Sequence, residues 1–182
     1  IVRRAGDVIP EVVTSIPERR SGSEIEWSLD KRCPCGDFDI VYIKDEKVPR
    51  CSGRYDCKIS KKEMLIYFAS KSGLDIEGLG RETVETLIAN KLVENFEDFY
   101  SLTYEELISL PQWKEKKTQN LLEAIEKSKN SEQEKLLPAL GIRYVGKQTS
   151  KLLVNTFGSI RNIFDASTDE INKIHGISES VS

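Results

Sequence analysis

Four cysteines, Cys33, Cys35, Cys51 and Cys57, are the residues of this sequence best suited to chemistry. They form two close pairs, "CPC" and "CSGRYDC", separated by fifteen residues. Two short-spaced thiol pairs on separate turns are the usual way to surround one tetrahedral ion, and zinc is the ion expected. A closed set of four thiolates leaves no open coordination position, so its work is structural. In so small a module the ion would supply much of the folding free energy. Cys33 and Cys35 stand one residue apart where two is usual, which makes a tighter bite at Cys35. The competing reading is a free or redox dithiol at Cys33 and Cys35, with the other pair incidental. Disulfides fit less well, because no secretory signal is visible and lysine is abundant. His175 lies too far along the chain to substitute for a thiol.

The elements around these cysteines read in three parts. Residues 1–27, with "IVRRAGDVIPEVV" and then the polar "ERRSGSE", predict a strand, a turn, a second short strand and a linker. Residues 28–62 carry the cysteines, with "FDIVYIKDEKVPRC" as a small hairpin between the pairs. From Ile59 the pattern turns helical, and residues 63–182 form the third part. The segments "SKKEMLIYFASKSG", "RETVETLIANKL", "TYEELISL", "KKTQNLLEAIEKSK", "EQEKLLPALG", "KQTSKLLVNTFG" and "STDEINKI" each space apolar residues three or four apart. Gly73 is expected to end the first helix. Thr103 with Glu106, and Thr168 ahead of Asp169 and Glu170, are expected as N-terminal caps. Both ends cut through such patterns, so the sequence is expected to be part of a longer chain.

The helical part repeats itself. "IEGLGRETVETL", "LPQWKEKKTQNL", "IRYVGKQTSKLL" and "IHGISESVS" align at a period of about 33 residues. Gly80, Lys114, Gly146 and Ser178 take the same place, each after an apolar residue: Leu79, Trp113, Val145 and Ile177. Leu87, Leu121 and Leu153 follow at equal distance in the first three. The expectation is a helix, a tight turn and a helix, used four times. A glycine turn opening a helix leaves amides pointing outward with the helix dipole behind them, an arrangement that suits phosphate. Ordinary helix corners capped by glycine are the bland alternative, and four in register weigh against it.

The formal net charge is −3, so charge as a whole does not advertise a nucleic acid or a membrane. Locally it does. No acidic residue falls between Lys135 and Phe164, a stretch with Arg143, Lys147, Lys151 and Arg161. The second turn carries Lys114, Lys116 and Lys117, and the second cysteine pair is flanked by Arg50, Arg54, Lys58, Lys61 and Lys62. Such residues fit phosphate contacts made on one face, although a solvated lysine face has the same composition. No apolar run approaches the ~20 residues of a membrane span.

"VRRAGDVIPEVV", a four-cysteine module, "LDIEGLG" and "LGIRYVG", in this order, resemble the bacterial NAD+-dependent DNA ligases over nearly the whole chain. The resemblance implies a mainly α fold: four tandem helix-hairpin-helix units after a small four-cysteine zinc finger and the tail of an oligonucleotide-binding β barrel. It implies that Cys33, Cys35, Cys51 and Cys57 hold a structural zinc. It places Gly78, Gly80, Gly146 and Gly176 at phosphate-facing turns, with Lys114, Arg143 and Lys147 as neighbouring duplex contacts. The partner would be nicked duplex DNA, gripped without regard to sequence by a monomer in the bacterial cytoplasm, at the nucleoid. NAD and magnesium would bind elsewhere in such an enzyme. No Lys-x-Asp-Gly adenylation stretch occurs here, so no catalytic residue is expected and the piece alone would not seal a nick.

The sequence departs from that family in three places. The family's first cysteine pair is normally Cys-Pro-x-Cys. Lys114 stands where a hairpin glycine is usual. The fourth hairpin is short, and the phosphopeptide-type domain expected after it is absent. A rival reading is a non-enzymatic helix-hairpin-helix module of another repair or recombination protein. A second is a zinc-ribbon protein-interaction module on a helical scaffold.

Overall fold

The computed structural model describes residues 1–6, 9–43 and 48–177. It divides into two compact units, 1–31 and 32–182. In the first, β1 (Val2–Ala5) and β2 (Ile9–Val12) pair antiparallel, Val2 opposite Val12 and Arg3 opposite Glu11. Arg3 and Glu11 form an ion pair across that ladder. None of the described residues of this unit is buried, and Ile25 and Trp27 are almost fully exposed. The tip of the expected turn, residues 7 and 8, lies outside the described residues.

The second unit begins with β3 (Ile40–Val41) and β4 (Arg50–Cys51), a two-residue antiparallel ladder. The tip of that hairpin, residues 44–47, also lies outside the described residues. Eight helices follow among the described residues: α1 (Lys58–Ala69), α2 (Arg81–Ala89), α3 (Tyr104–Ile108), α4 (Glu115–Ser128), α5 (Gln133–Ala139), α6 (Lys147–Phe157), α7 (Ile160–Asp165) and α8 (Thr168–Asn172). No helix among the described residues is long and apolar enough to cross a membrane.

Two helical pieces within residues 63–177 have no counterpart in the apolar spacing. One is the 3-10 helix Phe96–Ser101, started by a reciprocal cap between Asn95 and Asp98. The other is α7, started by the Ser159 hydroxyl accepting from the Asn162 amide. Both are short, so periodicity is weak and the caps carry the signal. The cap at Thr103 is as expected, with Thr103 and Glu106 satisfying each other's amides. The cap of α8 falls one residue earlier than expected, at Ser167 with Glu170, and Thr168 becomes the first helical residue. Serine there reaches the third amide of the helix; Thr168 would start it too late. Helix α1 stops at Ala69, ahead of Gly73, and the amides of Ser70 and Leu74 return to its last carbonyls.

The core has two parts joined by α5. Leu65, Phe68, Leu79, Val84, Leu87, Phe99, Leu107, Trp113, Leu121 and Ile125 form the larger one. Leu137, Val145, Leu153 and Ile163 form the smaller. Helix α5 gives Ala139 to the first and Leu137 to the second. The leucines aligned in the repeat, Leu87, Leu121 and Leu153, are all buried. Val84, Thr118 and Ser150 also take equivalent places, each fully buried in the helix after its turn. Ser150 donates to the Glu134 carbonyl of α5, 2.6 Å away. The Thr118 hydroxyl has no partner among the described residues.

Leu121→Ala should destabilise by about 2–5 kcal/mol in urea unfolding followed by circular dichroism, since the residue is fully enclosed. Acid should act through the caps. The Thr103 amide and hydroxyl hold the Glu106 carboxyl below its ordinary 4.5, and the Ser167 hydroxyl and amide do so for Glu170. A carboxyl lowered on folding contributes stability that is complete above pH 4.5 and is lost as the pH falls further. Glu106→Gln keeps the cap's shape and removes the titration. Its thermal midpoint should therefore fall less than the unaltered chain's between pH 5 and about pH 3.

Candidate metal centre and nucleic-acid interface

The structure brings Cys33, Cys35, Cys51 and Cys57 together: all four sulfurs lie within 4.8 Å of one another. Cys33, Cys35 and Cys57 are buried and Cys51 half-buried, and none is in a disulfide. Each pair sits in a turn of its own. The first turn is closed by the Cys33 amide donating to the Phe38 carbonyl at 2.8 Å and the Gly36 amide donating to the Cys33 carbonyl at 2.9 Å. Arg32 ties it from outside, donating to Asp39 Oδ1 at 3.1 Å and to the Gly36 carbonyl at 2.9 Å. The single-residue spacing is thus accommodated by a tight turn, and Cys35 remains inside the cluster.

The second turn runs from Cys51, in β4, through a 3-10 turn at Arg54–Asp56 to Cys57, the N-cap of α1. Gly53 is its critical small residue. A Cβ there would fall 2.3 Å from the ring of Phe38, which packs against the cysteine cluster. No spacing rule for metal ligands marks Gly53, because the demand comes from a ring on the other turn.

The thiols differ in acidity. The Cys35 amide is the strongest influence on Cys33 and favours its thiolate. Burial and donation to the Cys35, Cys51 and Cys57 sulfurs nevertheless push the Cys33 thiol up to about 12. Burial is the strongest influence on Cys57 and opposes its thiolate, but the Ser60 amide and hydroxyl and the Cys51 and Cys35 thiols bring it down to about 6. The thiols therefore titrate as one coupled group, in which a first thiolate is favoured and those after it are opposed. Further thiolates so close together need a cation between them. The donor set, its burial and its compactness are those of a site able to hold one metal ion.

The four turns of the repeat share one backbone path as far as they are described. In each, an apolar residue's carbonyl accepts from the amide three residues on: Ile76 from Leu79, Leu110 from Trp113, Ile142 from Val145 and Ile174 from Ile177, at 3.1–3.2 Å. The third residue has positive φ in every turn: Gly78, Gln112, Tyr144 and Gly176. This is a type II turn, which favours glycine at its third place. Gln112 and Tyr144 occupy it nonetheless, and left-handed backbone costs a residue with a Cβ about 1–2 kcal/mol. The fifth residue is the N-cap of the next helix: Gly80 of α2, Lys114 of α4 and Gly146 of α6. Ser178, at that place in the fourth turn, lies outside the described residues.

At the fifth place the backbone makes no such demand. Gly80, Lys114 and Gly146 all have negative φ, which any residue adopts. A Cβ on Gly80 or Gly146 would meet nothing within 4 Å. Glycine at these two places serves neither the turn nor the packing of this chain, and it leaves the first amides of α2 and α6 uncovered.

The basic residues fare differently. Lys61 pairs with Glu94 and Lys62 with Glu85, so these two lysines beside the cysteines are not unpaired cations. Arg81, which opens α2, is held in a two-pronged bond to Glu63 of α1, both contacts at 2.7 Å. Turn one therefore offers amides with little net charge. Lys114, Lys116 and Lys117 are exposed around turn two, with the Lys117 ammonium 4.2 Å from the centre of the Trp113 ring. In turn three Lys147 is exposed, and Arg143 lies half-buried beside Tyr144.

Comparison with known proteins agrees with this geometry. Residues 135–182 match the helix-hairpin-helix motif family, and residues 74–127 the SAM-like helix-hairpin-helix tandem family. The whole chain aligns with proteins named DNA ligase: 39% identical in Anoxybacillus flavithermus, 42% in Geobacter sulfurreducens and 43% in Geobacter metallireducens. It spans 27% of the length of each of these relatives. The chain is mainly helical, carries helix-hairpin-helix segments and a four-cysteine cluster, and is similar over its whole length to the C-terminal part of DNA ligases.

Proposed function

We propose that this chain is the duplex-holding part of an NAD+-dependent DNA ligase. It grips nicked DNA through backbone phosphates and does not itself react. The observation that carries this reading is the charge at the helix starts. A helix N-terminus favours acidic residues, and α3 and α8 comply with Glu105, Glu106, Asp169 and Glu170. Helices α4 and α6, which leave turns two and three, depart from it. Helix α4 opens with a single acid, Glu115, set among Lys114 as N-cap and Lys116 and Lys117, and α6 begins at Lys147 with no acidic residue in its first turn. Positive charge at these ends opposes the dipole, and a phosphate placed there satisfies both lysines and amides.

The contacts are Gly78 and Gly80 in turn one, Lys114 in turn two, Arg143, Gly146 and Lys147 in turn three, and Gly176 in turn four. Four tandem hairpins make up residues 63–182, with a zinc finger at 28–62 and the end of an oligonucleotide-binding barrel at 1–27. Amides and ammonium groups meeting phosphates carry no base information, so the grip is independent of sequence. With no adenylation lysine in its sequence, the piece works as a monomer beside catalytic residues elsewhere in the enzyme, which bind NAD and magnesium. Its setting is the bacterial cytoplasm, on the nucleoid.

The metal is zinc, held by Cys33, Cys35, Cys51 and Cys57. Four thiolates about 2.3 Å from a tetrahedral zinc stand about 3.8 Å apart. The Cys33 and Cys57 sulfurs are 3.8 Å apart. Zinc here orders the two turns and takes no part in reaction.

Native mass spectrometry should find one zinc per chain, with all four thiols protected from alkylation until a chelator is added. A chain with no zinc, or one with Cys35 labelled while zinc stays bound, removes the four-ligand site. Binding of a labelled nicked duplex should weaken steeply as salt rises, in a linear log–log relation. Lys114→Ala and Lys147→Ala should each reduce the slope by about one. Affinity indifferent to salt would refute the phosphate grip.

A further inference from the structure

A groove of about 540 Å³ opens where the 3-10 helix Phe96–Ser101 and α3 meet α4. Leu102 and Ile125 form its floor, and both are buried members of the larger core. Tyr100, Tyr104 and Leu122 form its walls. Ser128 Oγ and the Tyr100 hydroxyl are hydrogen-bonded at 3.2 Å, which fixes one wall against α4. Tyr104, the first residue of α3, is 37% exposed. The cap at Thr103 starts that helix and asks for no aromatic ring after it. Tyrosines beside an open apolar groove are what protein interfaces enrich, because each ring covers much surface at little cost in freedom.

The mouth of the groove is acidic. Glu123 and Glu126 of α4 stand there, both exposed. Lys129, beside them, is tied to Glu126 in an ion pair, which leaves Glu123 without a cation among the described residues. The opposite wall belongs to residues 92–113, a stretch with five acids and no lysine, arginine or histidine. Asp98 and Glu106 serve as helix caps and Glu94 pairs with Lys61. Glu97 and Glu105 are exposed, with no ion pair among the described residues. Negative charge at this density repels DNA and anionic lipid alike and draws cations. Helix α4 is thus divided. Its start carries Lys114, Lys116 and Lys117, whereas the groove runs beyond them from Gln119 to Lys129, about 15 Å of helix. A partner seated in the groove leaves turn two open.

We propose that this groove docks a short segment of a partner protein in which large apolar side chains are flanked by lysine or arginine. The apolar side chains displace water from Leu102, Leu122 and Ile125, between the two tyrosine rings. The flanking cations meet the acids of the mouth and gain further from lying over a tyrosine face. The groove has the size of a small-ligand site and is far smaller than a standard protein interface, so the association is transient, with a Kd roughly in the micromolar range. The inference uses no residue of the four turns and does not rest on the DNA-holding function proposed above.

The test pans short random peptides displayed on phage against the full chain. A fluorescein-labelled synthetic copy of the most enriched peptide is then titrated by anisotropy, and each variant's thermal melting is measured beside it. The enriched peptides should combine phenylalanine, leucine or tryptophan with lysine or arginine, and nicked duplex DNA should not displace the labelled copy. Tyr104→Ala and Glu123→Lys should each weaken its binding about tenfold. Both side chains are exposed, so the melting temperatures should stay where they are. No enriched family, an acidic one, displacement by duplex, or an affinity that neither substitution lowers overturns the proposal. Weakening that only follows a lower melting temperature overturns it too, and makes the groove a surface gap between packed helices.

Discussion

One hydrogen bond, made four times, sets the layout of the helical part. An apolar residue accepts from the amide three residues later, and that second residue is apolar too. Leu79, Trp113 and Val145 are buried at the second place, so each turn is pinned into the core from its inner side. With both ends of a short turn fixed inward, the residue between them must point elsewhere, and the next residue along becomes the start of a helix. The turn's position, the direction of the following helix and the exposure of its first amides thus follow from one closed ring. The first two turns share the larger core, and the last two the smaller.

The cysteine cluster solves a different problem with different means. Its ladder is two residues long on each strand, and among the described residues its apolar support is Phe38 and Ile40. So little buried surface cannot offset the entropy of ordering the chain from Arg32 to Cys57. A shared ion can, because it joins residues far apart in the chain at one point. The benefit reaches the hairpins through Cys57, which is both a member of the cluster and the N-cap of α1. Helix α1 then delivers Leu65, Phe68 and Ala69 to the core of the first hairpins.

Much of this was legible in the sequence, for identifiable reasons. The helices with two or more turns announced themselves by apolar spacing, and the cysteines by their pairing. The repeat was legible because Leu87, Leu121 and Leu153 do the same job in the same place. What escaped was set by single atoms. The 3-10 helix at Phe96–Ser101 and α7 hang on one cap each. Gly53 is dictated by a ring from the other cysteine turn. The sign of φ at Gln112 and Tyr144 follows from closure of the turn, and neither residue type advertises it. Reading glycine as the marker of the turn therefore drew the eye to Gly80 and Gly146, which the backbone does not require to be glycine.

The same turns show choices that folding alone does not ask for. Gly80 and Gly146 forgo a side chain at helix starts where serine or aspartate would cap better. Gln112 and Tyr144 carry side chains where glycine would cost less. Lys114, Lys116 and Lys117 outnumber Glu115 at the start of α4, and Lys147 opens α6, so net positive charge stands where the dipole prefers negative. Each choice weakens the isolated chain slightly, and turn three collects all three kinds. A sequence that elsewhere caps α3 and α8 with reciprocal serine or threonine boxes is not careless about helix starts. The departures instead have the shape of a surface adapted to something anionic that comes close to the backbone. On the function proposed above, their compensation lies in the contact with DNA, and the turns that look least well made for folding are the ones made for binding.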